Sequence, residues 1–221
     1  MISFLIIVHE LGHVLMAMIQ KIKVKSIYLY PLGGVTKLDM PLNTKPLKEL
    51  LILINGPLFQ CIAYYLLMKI LPNEKDLIIQ YHRNILYFNL LPIYPLDGGK
   101  ILKLFLEIIL PYQLSLKRTI QISYLTTGIL FIQCPVKKIN TYIMLIFLLS
   151  LIKKEEKKIN IIYQKFLLER VNNHYNFRKS KIISDNKSFY RNKKHIIKDG
   201  EKYYLEKEYL EKKYHKIHKN Y

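Results

Sequence analysis

Cysteine is nearly missing from this sequence: 221 residues include two, Cys61 and Cys134. Two thiols, each inside an apolar stretch, make neither a disulfide framework nor a zinc ribbon. Both are expected as buried thiols. Acidic side chains are also scarce, with 16 Asp and Glu against 35 Lys and Arg, for a formal net charge of +19. Met1–Gln20 lacks a basic region ahead of its apolar run and lacks a small-residue cleavage site, so it reads as a poor signal peptide. There is no internal repeat. No recognition motif accompanies the basic charge, so nucleic acid is not an expected partner.

What the chain has in quantity is apolar sequence. Hydrophobic residues make up 51% of it. That share and a charge of +19 do not combine in one soluble globule. They fit a membrane protein whose charges collect in loops and a tail. Residues 153–221 hold 20 Lys and Arg against 9 Asp and Glu. They read as a basic tail, partly helical or disordered, after an apolar domain over 1–152.

Five blocks approach the roughly 20 apolar residues that a helix needs to cross a bilayer. They are Met1–Gln20, Leu47–Leu71 (broken at Gly56-Pro57), Leu77–Leu96, Thr119–Cys134 and the short Ile139–Ile152. The last needs Lys137, Lys138, Lys153 and Lys154 to snorkel at its ends. Ile101–Leu110 is apolar but too short to span. By the positive-inside rule, gaps 21–46 and 98–118 and the tail face the cytosol. Between the first two blocks, Lys23–Tyr30 is β-branched and aromatic and reads as a strand. Pro31, Gly33-Gly34 and Val35–Leu38 read as a turn and a second strand.

The chemistry is concentrated in His9-Glu10-Leu11-Gly12-His13, a His-Glu-x-x-His pattern. On a helix, residues four apart share one face, so both imidazoles reach one ion. Glu10 sits about 100° around the helix from His9, beside the ion rather than on it. That is the place for a general base. Three ionisable groups inside an apolar helix are costly and mark a functional site. A catalytic zinc site wants a third protein ligand. Asp97, at the end of an apolar block distorted by Pro92 and Pro95 and followed by Gly98-Gly99, is the best candidate. An Asp-Gly turn capping the next helix is the alternative; beside a two-histidine site lacking a ligand, the metal reading is preferred.

Ile6–His13 and Asn89–Lys100, with Leu29–Val35, Lys45–Glu49, Asn55–Leu58 and Phe166–Arg170, resemble the site-2 protease family of intramembrane metalloproteases. The resemblance covers roughly residues 1–172. It implies an all-α polytopic membrane protein of about five spans, within a family core of up to six. The segment at about 23–38 becomes a small membrane-associated hairpin-like loop. It implies one Zn2+ on His9, His13 and Asp97, with Glu10 as base and Asn89 as a polar group that stabilises the oxyanion or orients substrate. The implied partners are the lipid bilayer, membrane inhibitor proteins, and a membrane-associated protein substrate of the pro-sigma-K kind, cleaved during sporulation. The hairpin could pair with an unwound substrate strand.

There are three departures. Only eight residues precede His9, where the family has a further helix. Asn55 stands where relatives have a small residue. The tail after Asn172 does not read as a nucleotide-sensing CBS domain. A catalytically silent scaffold of the same fold is disfavoured by the intact His9, Glu10, His13 and Asp97. A metal transporter is disfavoured by the apolar fourth and fifth blocks. His82 and Arg83 are expected at the interface away from the metal. His174, His195, His215 and His218 are expected in water, and Glu201–Lys219 as an exposed helix or disorder.

Overall fold

The computed structural model describes residues 1–30, 33–133, 139–173, 175, 177, 179–184 and 188–218, with the side chains of 28–30, 33, 35 and 213–218 left aside. The expected turn residues Pro31 and Leu32, the thiol Cys134, the snorkelling Lys137 and Lys138, and His174 lie outside the described residues, as do the side chains of His215 and His218.

Helix α1 (Ile2–Ile19) buries Leu5, His9, His13 and Ala17, one residue every four, together with Glu10 and Gly12. Side chains four apart on a helix stack on one face, so a single stripe carries both imidazoles. The helix stops in a left-handed turn at Lys21 (φ 57°). There Lys21 N–H donates to the Met18 carbonyl and Ile22 N–H to that of Ala17. This closure satisfies the last carbonyls and sends the chain back as a strand.

Strands β1 (Lys23–Tyr30) and β2 (Gly33–Asp39) form an antiparallel two-stranded sheet, with Lys23 opposite Asp39 and Tyr30 opposite Gly33. Gly33-Gly34 therefore belongs to the second strand and not to the turn.

Helix α2 (Pro46–Ile70) runs unbroken through Gly56-Pro57, where the sequence suggested an interruption. Proline removes one backbone donor, but neighbouring helices can hold such a helix together. It buries Ile52, Gly56, Gln60 and Ala63 against α1. Cys61 is only half-buried, a correction to the expected buried thiol, because it lies off that stripe. After a short 3₁₀ turn at Pro72–Glu74, α3 (Lys75–Leu90) returns, ending before Pro92. An irregular link leads into α4 (Asp97–Ile109), so Asp97 opens a helix.

Helices α5 (Tyr112–Gln133) and α6 (Ile139–Asn172) pack together. Ser115, Thr119, Ser123 and Thr127 form a fully buried stripe on α5, and Thr119, Ser123 and Thr127 each donate a hydroxyl to the carbonyl four residues back. Small polar residues of this kind let helices approach closely in an apolar setting. Helix α6 continues past Ile152 without a break.

The basic tail folds. Strands β3 (Lys179–Ile183), β4 (Lys193–Asp199) and β5 (Lys202–Leu205) make a three-stranded sheet in the order β3-β4-β5, followed by α7 (Glu206–His218). Of the expected exposed helix over Glu201–Lys219, the structure shows Glu206–His218, with i,i+4 ion pairs Lys207–Glu211 and Lys212–Glu208, whereas Lys202–Leu205 is a strand and Lys219 lies outside the described residues. The apolar signal is short: along β4 only His195 and Ile197, two residues apart, are buried. His195 is fully buried rather than in water. Ile183, Phe189, Ile197 and Leu210 join Tyr112, Phe166 and Leu167 in one core.

Helices α1 and α2 are long and apolar enough to cross a bilayer, and most of each apolar window faces outward. Among the described residues these two alone meet that measure. Leu11, Leu58, Ile62, Ile109 and Ile132 point away from the protein, while His9, Glu10, Gln60 and Asp97 point inward. Apolar outside and polar inside is the arrangement of a chain whose solvent is lipid.

Candidate metal centre

The two histidines of α1 present Nε2 atoms to one point. His9 Nε2 and His13 Nε2 each lie 3.0 Å from Asp97 Oδ2. All three residues are at least 95% buried. A glycine makes the approach possible. A Cβ on Gly56 would stand 2.4 Å from His13 Nε2 and 2.9 Å from His9 Nε2, so both rings rest on bare α2 backbone. The third member of the set, a carboxylate, arrives from α4, whose first residue is Asp97.

The far nitrogens are also held. His13 Nδ1 lies 2.8 Å from the Ile52 carbonyl oxygen. A carbonyl only accepts, so the Nδ1 carries the proton and Nε2 offers its lone pair. His9 Nδ1 lies 3.0 Å from Gln60 Oε1. The other oxygen of Asp97, Oδ1, accepts from Lys100 Nζ at 3.0 Å. Lys100 thus occupies one carboxylate oxygen and leaves the other to the histidines.

Glu10 stands beside this triad and outside it. Its carboxylate and one ring nitrogen each of His9 and His13 lie within 4.8 Å of one another. Thr36 of β2 donates a 2.6 Å hydrogen bond to Glu10 Oε2. Gly34 of the same strand lies against the Glu10 side chain so closely that a Cβ would come within 2.2 Å of Cγ. The hairpin is therefore the roof over Glu10. A cavity of about 240 Å³ opens between these elements, lined by Glu10, His13, Thr36, Ile52, Asp97 and Lys100 among others.

The donor set fits the expected ion. Two donors on a tetrahedral zinc at about 2.0–2.1 Å are about 3.3–3.4 Å apart, close to the spacing found here. With both imidazoles neutral, Glu10 and Asp97 bring two negative charges against one positive charge from Lys100. A buried excess of negative charge is costly and suits a dication.

The structure thus brings together His9, Glu10, His13 and Asp97. Asn89 is buried in the last turn of α3 and is not among the residues that line the cavity. Asn55 turns its amide back to the Leu51 carbonyl at 2.7 Å. Its own backbone oxygen blocks any side chain at position 12, since a Cβ on Gly12 would lie 2.4 Å from it. Thr36, Lys100 and Gln60 escaped the sequence reading. Gln60 could have been found, as an amide inside an apolar helix is a default functional candidate.

The profile of Peptidase family M50 matches residues 1–74 and 76–133. The chain belongs to that family. It is 33% identical over 177 residues to stage IV sporulation protein FB of Bacillus subtilis, covering 75% of this chain and 61% of that one. It is 33% identical over 111 residues to a zinc metalloprotease of Methanocaldococcus jannaschii, covering 46% of this chain and 32% of the other. The chain thus spans less than two thirds of either relative. Its fold is similar to the site-2 protease structure from Methanocaldococcus jannaschii, with a TM-score of 0.55 and 27% identity over 70% of this chain and 74% of that one. This M50 chain shares the site-2 protease fold, mostly helical with small sheets.

Outside the centre, the C-terminal residues are fastened to it. Lys103 Nζ lies 3.2 Å from Glu49 Oε1 and 3.7 Å from Glu107 Oε1. Arg191 reaches Glu49 Oε2 at 2.8 Å and Glu107 Oε2 at 2.6 Å. Glu49 and Lys103 line the cavity. Glu169 accepts from the backbone N–H groups of Leu42 and Asn43, and Arg170 donates to Asn43, to Glu206 and to the carbonyls of Tyr190, Arg191 and Lys193. The Phe166–Arg170 segment singled out in the sequence is the joint between α6, the β2–α2 link and the tail.

Proposed function

We propose that this chain is an intramembrane zinc metalloendopeptidase in which His9, His13 and Asp97 hold the metal and Glu10 is the general base. The observation that carries the reading is the meeting of His9 Nε2, His13 Nε2 and Asp97 Oδ2 in the middle of an apolar helix pair, with Glu10 alongside. Bound zinc supplies Lewis acidity and makes water a better nucleophile at neutral pH. The chain's own groups do the rest. Glu10 takes the proton of the attacking water as its oxygen bonds to the scissile carbonyl carbon. It returns that proton to the amide nitrogen as the C–N bond breaks. Thr36 holds one Glu10 oxygen and leaves the other for the proton. Lys100 holds Asp97 Oδ1 and leaves Oδ2 turned to the metal point, and Asn89 is the candidate for orienting substrate or stabilising the oxyanion.

The β1–β2 sheet has two strands and hence unpaired edges, where an unwound substrate segment could add as a strand. The membrane domain is assigned to 1–152 with about five spans, and the basic residues 153–221 to the cytosolic side. The substrate is assigned as a membrane-associated pro-sigma factor processed during sporulation, on the strength of the 33% identity to the sporulation protein.

The test is cleavage of a co-expressed pro-sigma-K-like substrate by the wild type and by Glu10→Gln, with bound metal assayed in both. Cleavage by the wild type alone, with metal in both, supports the protease reading and Glu10 as base. Zinc in both and cleavage in neither overturns the substrate assignment. A wild-type chain purified free of metal without chelators overturns the catalytic reading in favour of a silent scaffold.

A further inference from the structure

Gln60 is fully buried on the face of α2 that meets α1. Its amide has two ends of opposite chemistry. Nε2 lies 2.9 Å from the backbone carbonyl oxygen of His82 and 3.3 Å from His82 Nδ1. A carbonyl oxygen can only accept a hydrogen bond, so the NH₂ end must face α3. The orientation of the amide is thereby decided. Oε1, which can only accept, is left 3.0 Å from His9 Nδ1. His9 must then carry its proton on Nδ1, and the Nε2 lone pair is left at the point shared with His13 and Asp97.

We propose that Gln60, anchored by the His82 carbonyl, is a positioning residue that locks His9 in the tautomer able to ligate the metal through Nε2. The inference rests on the metal-site reading above and adds a chain of command to it: α3 orients α2's amide, and the amide orients the α1 ligand. His82 is thus joined to the centre at one remove, although it is not a ligand. His13 is served by a backbone carbonyl, which no substitution removes. His9 depends on a side chain, so its orientation is open to mutation.

A packing role and a tautomer-fixing role predict opposite results. In an apolar helix, leucine at position 60 suits packing and a buried carboxylate harms it. For the tautomer, leucine removes the acceptor, whereas glutamate keeps one for His9 Nδ1. The experiment is retention of zinc by the full chain in detergent against a graded competing chelator. Gln60→Leu is expected to bind zinc about 10–100-fold more weakly. Gln60→Glu keeps the acceptor for His9 Nδ1 but loses the donor to the His82 carbonyl, so it is expected to bind zinc more tightly than Gln60→Leu and within about tenfold of the wild type. The proposal is overturned if Gln60→Leu holds zinc like the wild type, or if Gln60→Glu loses it as fully as Gln60→Leu does. Should Gln60→Leu fail to fold, the result for Gln60→Glu decides alone. His9→Ala separates the two readings. If it loses zinc while Gln60→Leu does not, only the positioning role fails; if it binds like the wild type, the metal site itself is wrong.

Discussion

Arg191 Nη2 lies 2.8 Å from Glu49 Oε2, and this contact joins the C-terminal unit to the helix that walls the candidate centre. Both partners sit in a cluster with Lys103 and Glu107 that holds two positive and two negative charges. Such a cluster is costly to bury and costlier to break. Arg191→Met leaves Glu107, whose side chain is fully buried, without its 2.6 Å partner. A loss of about 3–5 kcal/mol is expected. Thermal unfolding in detergent measures it. The double variant Arg191→Met/Glu107→Gln is expected to recover part of the loss, since it removes the orphaned charge. Additive losses would show that the two do not interact.

The hairpin roof makes a second, local prediction. Gly34→Ala places a methyl group where the Glu10 side chain lies, 2.2 Å from Cγ. Either β2 lifts or Glu10 turns away, and in both cases the Thr36 hydrogen bond is lost. Proteolysis of the co-expressed substrate is expected to fall at least tenfold, while zinc content stays at the wild-type level because no ligand moves. Loss of zinc in this variant would mean that the roof supports the ligands and not the base.

How much of this was legible beforehand differs by scale. His9, Glu10 and His13 announce themselves because a helix places i and i+4 on one face and because charge inside an apolar run is expensive. Asp97 follows from the missing ligand. The helices around it follow from apolar blocks, and the β1–β2 pair from the residue types of 23–30. Thr36 and Lys100 were not singled out, because their contacts depend on which element lies beside which, and a single sequence carries no such pairing; Gln60 stands out as an amide inside an apolar helix, but its pairing with His9 and His82 does not. The tail was misjudged for another reason. Its core is supplied largely by α5 and α6 through Tyr112, Phe166 and Leu167, so its own strands need only a few apolar positions. Arg170 and Arg191 look like two more surface cations until their carboxylates arrive from α7, α2 and α4.

The C-terminal unit is expected to loosen in mild acid. His195 is fully buried, and burial holds its imidazole below the usual value of 6.5 despite a 3.0 Å hydrogen bond with Glu206. Arg170 and Lys193 also face it and act in the same direction as burial. Burial would raise the Glu206 carboxyl, but the His195 hydrogen bond and Arg170 outweigh it and hold the group below 4.5. For both groups the unfolded chain binds protons that the folded unit refuses. Stability is therefore complete above about pH 6.5 and is lost as pH falls through the depressed native values. The protection factors of the amides over 188–206 should fall between about pH 7.5 and 5, once the intrinsic slowing of exchange at lower pH is taken out. His195→Asn should flatten that dependence; an unchanged profile would assign it to other groups.

The most direct probe of the centre's packing is Gly56→Ala. A Cβ there would stand 2.4 Å from His13 Cε1 and Nε2 and 2.9 Å from His9 Nε2. Neither ring has a free direction, because His9 Nδ1 is tied to Gln60 and His13 Nδ1 to the Ile52 carbonyl. The methyl group must therefore push α1 and α2 apart or break one of those hydrogen bonds. Overpacking of this kind costs about 1–3 kcal/mol. The measurement is zinc content beside the melting temperature in detergent. Loss of zinc together with a lowered melting temperature is the expected pair. Zinc loss without destabilisation would mean that the rings swing aside and the helices stay put, so that the hydrogen bonds to Gln60 and Ile52 are the weaker constraint. Retention of zinc at wild-type affinity would show that the imidazoles do not rest on the α2 backbone, and the geometry assigned to the centre would have to be redrawn.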